Sequence, residues 1–225
     1  MPLLDHAGSY TLRYGALFAY SPHGLSENER LSRSYRTAVK GDETISISGE
    51  EISMSVLIAR AIHEARDDLP FWRLFEEKPI LVPARSTSLM KADSLWVPFR
   101  IATELLKVGL GSEVSTCLER VQPLQKAATS TSGNRPTVAQ HQASQRVQKL
   151  ISEPESILII DDVVTSGATL VGSARCLLAA FPSARISAFA AMRTVSRLGG
   201  FTQIVDPVLS NITLYPSGKT HRHPD

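Results

Sequence analysis

Asp161 and Asp162 stand side by side, and Thr165-Ser166-Gly167-Ala168-Thr169 follows close behind them. Paired carboxylates hold cations and accept hydrogen bonds from hydroxyls. A glycine among hydroxyl-bearing and small residues lets several backbone N–H groups converge on an anion. At this spacing the two features suit a phosphorylated sugar, its phosphate in the loop and its hydroxyls against the acids. The elements that must position them are legible on either side. Ile157 to Ile160 is a short, continuous, β-branched-rich apolar run, which predicts a strand buried on both faces of a parallel sheet. The acids then stand at the C-terminal end of that strand, where open α/β sheets place their ligand crevice. Beyond the loop, Leu170, Val171, Ala174, Leu177, Leu178 and Phe181 recur at helical spacing. That helix would start at the loop and present the positive end of its dipole to an anion.

Other sites built on similar residues fit less well. An apolar strand followed by Asp-Asp also opens receiver domains, with Asp206 as a later phosphoacceptor, but too little chain remains and the Thr-Ser-Gly-Ala-Thr loop would have no role. Neither Gly-x-x-x-x-Gly-Lys-[Ser/Thr] nor Gly-x-Gly-x-x-Gly occurs. A purely structural loop, with Thr165 capping the helix, leaves two adjacent carboxylates at a buried strand end uncompensated, which is costly.

The composition, 225 residues with 43% hydrophobic and 20% charged, suits a single domain with a real core and a small appended lobe. A net charge of +2 is too small to argue for nucleic-acid binding from the overall field. Cys117 and Cys176 are far apart and form no metal-ligand spacing, so reduced core thiols are expected. Met1 to Tyr10 has neither the basic start nor the apolar centre of a signal peptide, and no apolar run spans a bilayer, so a cytoplasmic protein with no membrane partner is expected.

Along the chain, Tyr10 to Tyr20 predicts a strand, broken by Ser21-Pro22-His23-Gly24. Ser26 and Glu29 form a capping-box pair for a helix carrying Arg30, Arg33, Arg36 and Lys40, read as a solvated basic face. A short strand over Thr44 to Ser48 and a helix from Ser48 to about Ala65, with His63 on its face, complete an expected lobe over residues 1–66. In the core, expected over 67–205, Pro79-Ile80-Leu81-Val82-Pro83 predicts a strand ending in a loop with Arg85, Ser86 and Thr87. A guanidinium can take two phosphate oxygens at once, so this loop is a second candidate anion site. Leu95 to Val108 predicts a helix, Val114 to Leu118 a strand, and Val138 to Leu150 another helix that His141 begins. Between the last two, residues 120–136 have little to bury and read as a mobile lid carrying Arg120, Lys126 and Arg135. Arg185 to Met192 and Val208 to Leu214 predict further strands, and residues 215–225 a polar tail in which His221 and His223 are hydrated. Alternating helices and apolar strands give an α/β fold, a parallel sheet flanked by helices.

The Ile-Leu-Ile-Ile-Asp-Asp-Val-Val-Thr-Ser-Gly-Ala-Thr stretch resembles the phosphoribosyl pyrophosphate (PRPP) motif of type I phosphoribosyltransferases. The order of parts resembles the ComF-type branch of that family, although the zinc-binding N-terminal module common there has no cysteines in this chain. The resemblance implies that Asp161 and Asp162 address the ribose hydroxyls, holding Mg²⁺ directly or through water, and that Thr165, Ser166, Gly167, Ala168 and Thr169 hold the 5-phosphate. It also implies that Arg85, Ser86 and Thr87 bind pyrophosphate, and that Arg120 and Lys126 of the lid, with Asp162, serve catalysis. The implied activity is PRPP-dependent transfer of a phosphoribosyl group to an unidentified acceptor with release of pyrophosphate; a homodimer is a candidate assembly. A non-catalytic PRPP or nucleotide sensor, or a competence-type accessory of DNA uptake associating with nucleic acid or a helicase, is the alternative.

Overall fold

The computed structural model describes residues 8–47, 49–87, 94–124, 135–148, 150, 152–197 and 199–223. Strand β1 (Tyr10–Tyr20) leads through a short loop into helix α1 (Glu27–Gly41). The expected capping box starts that helix: the Ser26 hydroxyl accepts from the Glu29 N–H while the Glu29 carboxylate reaches back to the Ser26 N–H. Asp42, in the left-handed region at φ 47°, ends it. The buried Asp42 carboxylate accepts from the Ser55 N–H at 2.8 Å and pairs with Arg100 at 3.1 Å, fixing the end of α1 against two neighbouring helices.

The helix expected from Ser48 begins later. Strands β2 (Thr44–Ile47) and β3 (Glu50–Ser53) make a small antiparallel hairpin, and α2 (Met54–Glu64) follows. The Ser53 hydroxyl accepts from the Val56 N–H, so Ser53 is the cap. Strand β4 (Ile80–Pro83) and helix α3 (Val97–Lys107), with Pro98 in its first turn, follow the expected pattern. The single strand expected over Val114 to Leu118 is divided into β5 (Glu113–Val114), on the main sheet, and β6 (Leu118–Arg120). The helix expected to reach Leu150 stops early: α4 (Val138–Ala143) gives way to β7 (Gln145–Val147), which pairs antiparallel with β6. Strand pairing across a long sequence separation wins there over local helical periodicity.

Strand β8 (Ser156–Val164), helix α5 (Ala168–Ala180) and strands β9 (Arg185–Thr194), β10 (Val205–Leu214) and β11 (Thr220–His223) complete the chain. Seven strands form one sheet in the order β11-β10-β1-β9-β8-β4-β5. It is parallel from β1 to β5, and β10 and β11 close the other side antiparallel. Strand β1 therefore lies inside the main sheet rather than in a separate N-terminal lobe, and the expected polar tail is an edge strand in which Arg222 is buried. Strand β8 alternates as a strand buried on both faces must. Leu158 and Ile160 enter a core shared with α1, α2 and α3, and Ile157 and Ile159 enter a second core beneath α5. No helix among the described residues is long and apolar enough to cross a membrane.

Candidate functional site

The paired acids are the sixth and seventh of the nine residues of β8, where the sheet changes width. Strand β4 accompanies β8 only as far as Pro83 opposite Ile160, whereas β9 continues beside Asp161 to Val164. Asp161 and Asp162 thus flank a gap at the C-terminal edge of the sheet, beneath α1. The Asp161 carboxylate accepts from the Asp162 N–H at 2.9 Å, and that of Asp162 accepts from the Val163 N–H at 2.7 Å and from Lys40 at 3.2 Å. Burial, followed by the negative charge of Asp162, pushes the Asp161 carboxyl well above the usual carboxylate range, with Lys40 pulling the other way. The pair is short of positive charge even with Lys40 present.

Thr165 to Gly167 turn the chain into α5. Gly167 sits in the left-handed region at φ 81°, and a Cβ there would come within 2.6 Å of Ile212 on β10. The cap position therefore has no side-chain acceptor for the first-turn N–H groups. Ser166 takes the Ala168 N–H at 3.4 Å, and Ala168, Thr169 and Leu170 of the first turn line a cavity. Thr165 is held by the Thr194 hydroxyl at 3.3 Å, and the Thr194 carbonyl accepts from the buried Arg222 of β11. The C-terminal strand, expected as a hydrated tail, buttresses the loop. Asp206, a conceivable phosphoacceptor from sequence, is paired with Arg193.

Arg85, Ser86 and Thr87 leave the end of β4 and face the acids across a cavity of about 450 Å³, also lined by Arg36, Lys40, Trp96 and Thr169. Arg85 stacks on Trp96 at 3.8 Å and donates through Nε to the Leu118 carbonyl at 2.6 Å. Arg120 proves to be a different kind of residue from the lid cation expected. It lies in β6, buried, and its guanidinium donates to the Ser86 and Arg85 carbonyls and to the Ser144 hydroxyl. It holds the loop of Arg85 to Thr87 in place. Leu124 donates to the Thr87 carbonyl at 2.7 Å, and Arg135 and Pro136 line a second cavity of about 360 Å³ over the Thr165–Thr169 loop, so residues 120–136 leave and return beside the site. Lys126 lies outside the described residues.

Four residues of the site were not assigned to it from sequence. Arg36 and Lys40, read as part of a solvated face, point inward from α1. Their spacing of one helical turn on a helix with few acids was the available signal. Tyr20, at the end of β1, lines both cavities under Arg36. His141 is buried beside Thr169, its Nε2 3.4 Å from the Thr169 hydroxyl, because α4 packs closely on Gly172 of α5. Burial and the nearby Arg120 charge lower its pKa to about 4, so the ring is neutral near pH 7. No family model matches the chain, and no curated protein matches it.

Proposed function

We propose that this protein transfers a 5-phosphoribosyl group from PRPP to an acceptor nucleophile, releasing pyrophosphate. The observation that carries this reading is the convergence of three unlike elements on one rim. Carboxylates, an anion-binding helix start and an arginine loop line two cavities that share Tyr20, Arg36, Thr87, Asp161, Val163, Thr165 and Thr169 as walls. A sugar with phosphate at one end and pyrophosphate at the other matches that order. Its 5-phosphate meets the Thr165–Thr169 backbone, its ribose hydroxyls meet Asp161 and Asp162, and its pyrophosphate meets the loop of Arg85, Ser86 and Thr87.

Mg²⁺ fits the acids on their own chemistry. Among the described residues no three His, Cys, Asp or Glu side chains gather, and two adjacent carboxylates completed by substrate and water oxygens are a common setting for this ion. When bound, it would neutralise charge on the pyrophosphate and on the acids. The C1–O bond breaks with its electron pair leaving on pyrophosphate, while a lone pair on the acceptor forms the new bond to C1. The acceptor's proton is released to pyrophosphate or solvent. Positive charge develops on C1 and its ring oxygen, and the carboxylate oxygens that hold the ribose favour it electrostatically. The Arg85 loop, braced by Arg120, receives the leaving charge, so little proton transfer by side chains is required.

The test is release of pyrophosphate from PRPP and Mg²⁺ in the presence of a panel of bases and amines. Turnover that falls at least about 100-fold on replacing both Asp161 and Asp162 by Asn is expected. PRPP binding without turnover across a broad panel would favour a sensor. No binding at all would remove the proposal.

A further inference from the structure

Arg36 is the one arginine that lines both cavities, and its guanidinium has a buried nitrogen without an acceptor among the described residues. It forms no hydrogen bond or ion pair with any of them, and its buried Nε lacks an acceptor. It is nevertheless held in place, with its carbon 5.3 Å from the centre of the Tyr20 ring. Apart from Arg135, which lines only the second cavity, the other cations nearby already have protein partners. Arg33 donates to the carbonyls of Ser21, His23 and Gly24, Lys40 pairs with Asp162, Arg85 is stacked on Trp96 and bonded to Leu118, and Arg120 braces the loop. A half-buried guanidinium left without an anion is costly unless a ligand completes it.

We infer that Arg36 receives a carboxylate of the acceptor, so that the acceptor is a small organic acid with an apolar body. This rests on the transferase reading, in which the two ends of PRPP are met by the Thr165–Thr169 backbone and by the Arg85 loop. Arg36 belongs to neither, standing on α1 where the two cavities join and where the acceptor must approach C1. Beside it, the larger cavity has an apolar shelf of Leu95, Trp96, Val97 and Pro98. Both faces of Trp96 are covered, by Arg85 and by Phe99 at 5.2 Å, so the shelf offers an edge and aliphatic surface to the body of the acceptor. The planar fork of Arg36 suits a carboxylate in a way that an ammonium would not.

The experiment uses acceptor pairs that differ in a carboxylate, orotate against uracil and nicotinate against nicotinamide, with PRPP and Mg²⁺. PRPP affinity is measured separately by calorimetry. The wild-type protein is expected to prefer the acid in kcat/KM. Arg36→Gln should reduce kcat/KM for the acid by about 10- to 100-fold, the range of one charge-assisted hydrogen bond, while leaving the neutral partner and PRPP affinity within about twofold. Arg36→Lys should restore part of the loss. A neutral acceptor used as well as its acid, or an Arg36→Gln defect that falls on PRPP instead, overturns the inference while leaving the transferase reading intact. Should PRPP itself fail to bind, the transferase reading falls. Ligand-observed NMR of the same acids with the free protein then still decides, since acid binding that is absent or indifferent to Arg36→Gln overturns the carboxylate site.

Discussion

At the scale of single residues, the site depends on side chains that hold others in position. Gly167 shows how a loop residue is constrained from behind. A Cβ there meets Ile212 of β10. Gly167→Ala should therefore lower stability by about 2–4 kcal/mol, from left-handed strain plus overpacking, in chemical denaturation without any ligand. A loss below about 1 kcal/mol would mean that the loop relaxes freely and that Ile212 does not fix it. Ser166→Ala removes only the hydroxyl that takes the Ala168 N–H and should cost far less. The acids, the hydroxyls and Gly167 were legible in the sequence because their types and spacing are themselves the chemistry. Arg36 and Lys40 were not, since a basic helix face looks the same whether it meets solvent or a cleft. Arg120 likewise carried no sign that its charge would be spent on the carbonyls of Ser86 and Arg85.

At the scale of elements, long apolar runs and caps were legible, and short pieces were not. Strand β1, the α1 capping box and the apolar centre of β8 follow directly from periodicity and cap chemistry. Strands β6 and β7 are stabilised by partners distant in sequence, which no local pattern encodes, and β11 is a polar strand that forms a hairpin with β10. Helix α4 brings the buried His141 to Thr169, and this has a measurable consequence. Its folded pKa, about 4, lies below the ordinary value of 6.5, so the folded protein resists protonation at this site. The stabilisation is fully present above about pH 6.5 and is lost as pH falls toward 4, by about 3 kcal/mol in total. Asp161, whose pKa is raised, acts in the opposite direction, because the folded state takes up its proton more readily than the unfolded chain. Comparing unfolding free energies of wild type and His141→Gln from pH 7 to 4 isolates the histidine. The variant should lose less stability on acidification, and parallel curves would show that His141 is not buried as described.

At the scale of the whole molecule, the sheet's parallel half ends in the cleft, and its antiparallel half closes around the back of the Thr165–Thr169 loop through Ile212 and Arg222. Two cavities, two acids and a helix start then lie within reach of one small phosphorylated ligand. The proposed function requires that such a ligand need both the acids and a divalent cation. Calorimetric titration of PRPP into the protein, with Mg²⁺ and with the metal chelated, and into the variant with Asp161 and Asp162 both replaced by Asn, addresses this directly. Mg²⁺-dependent binding to the wild type, weakened at least about 100-fold in the double variant, equivalent to about 2.7 kcal/mol, is the expected result. Equal affinity in the folded double variant, or binding to the wild type unaffected by chelation, would contradict it.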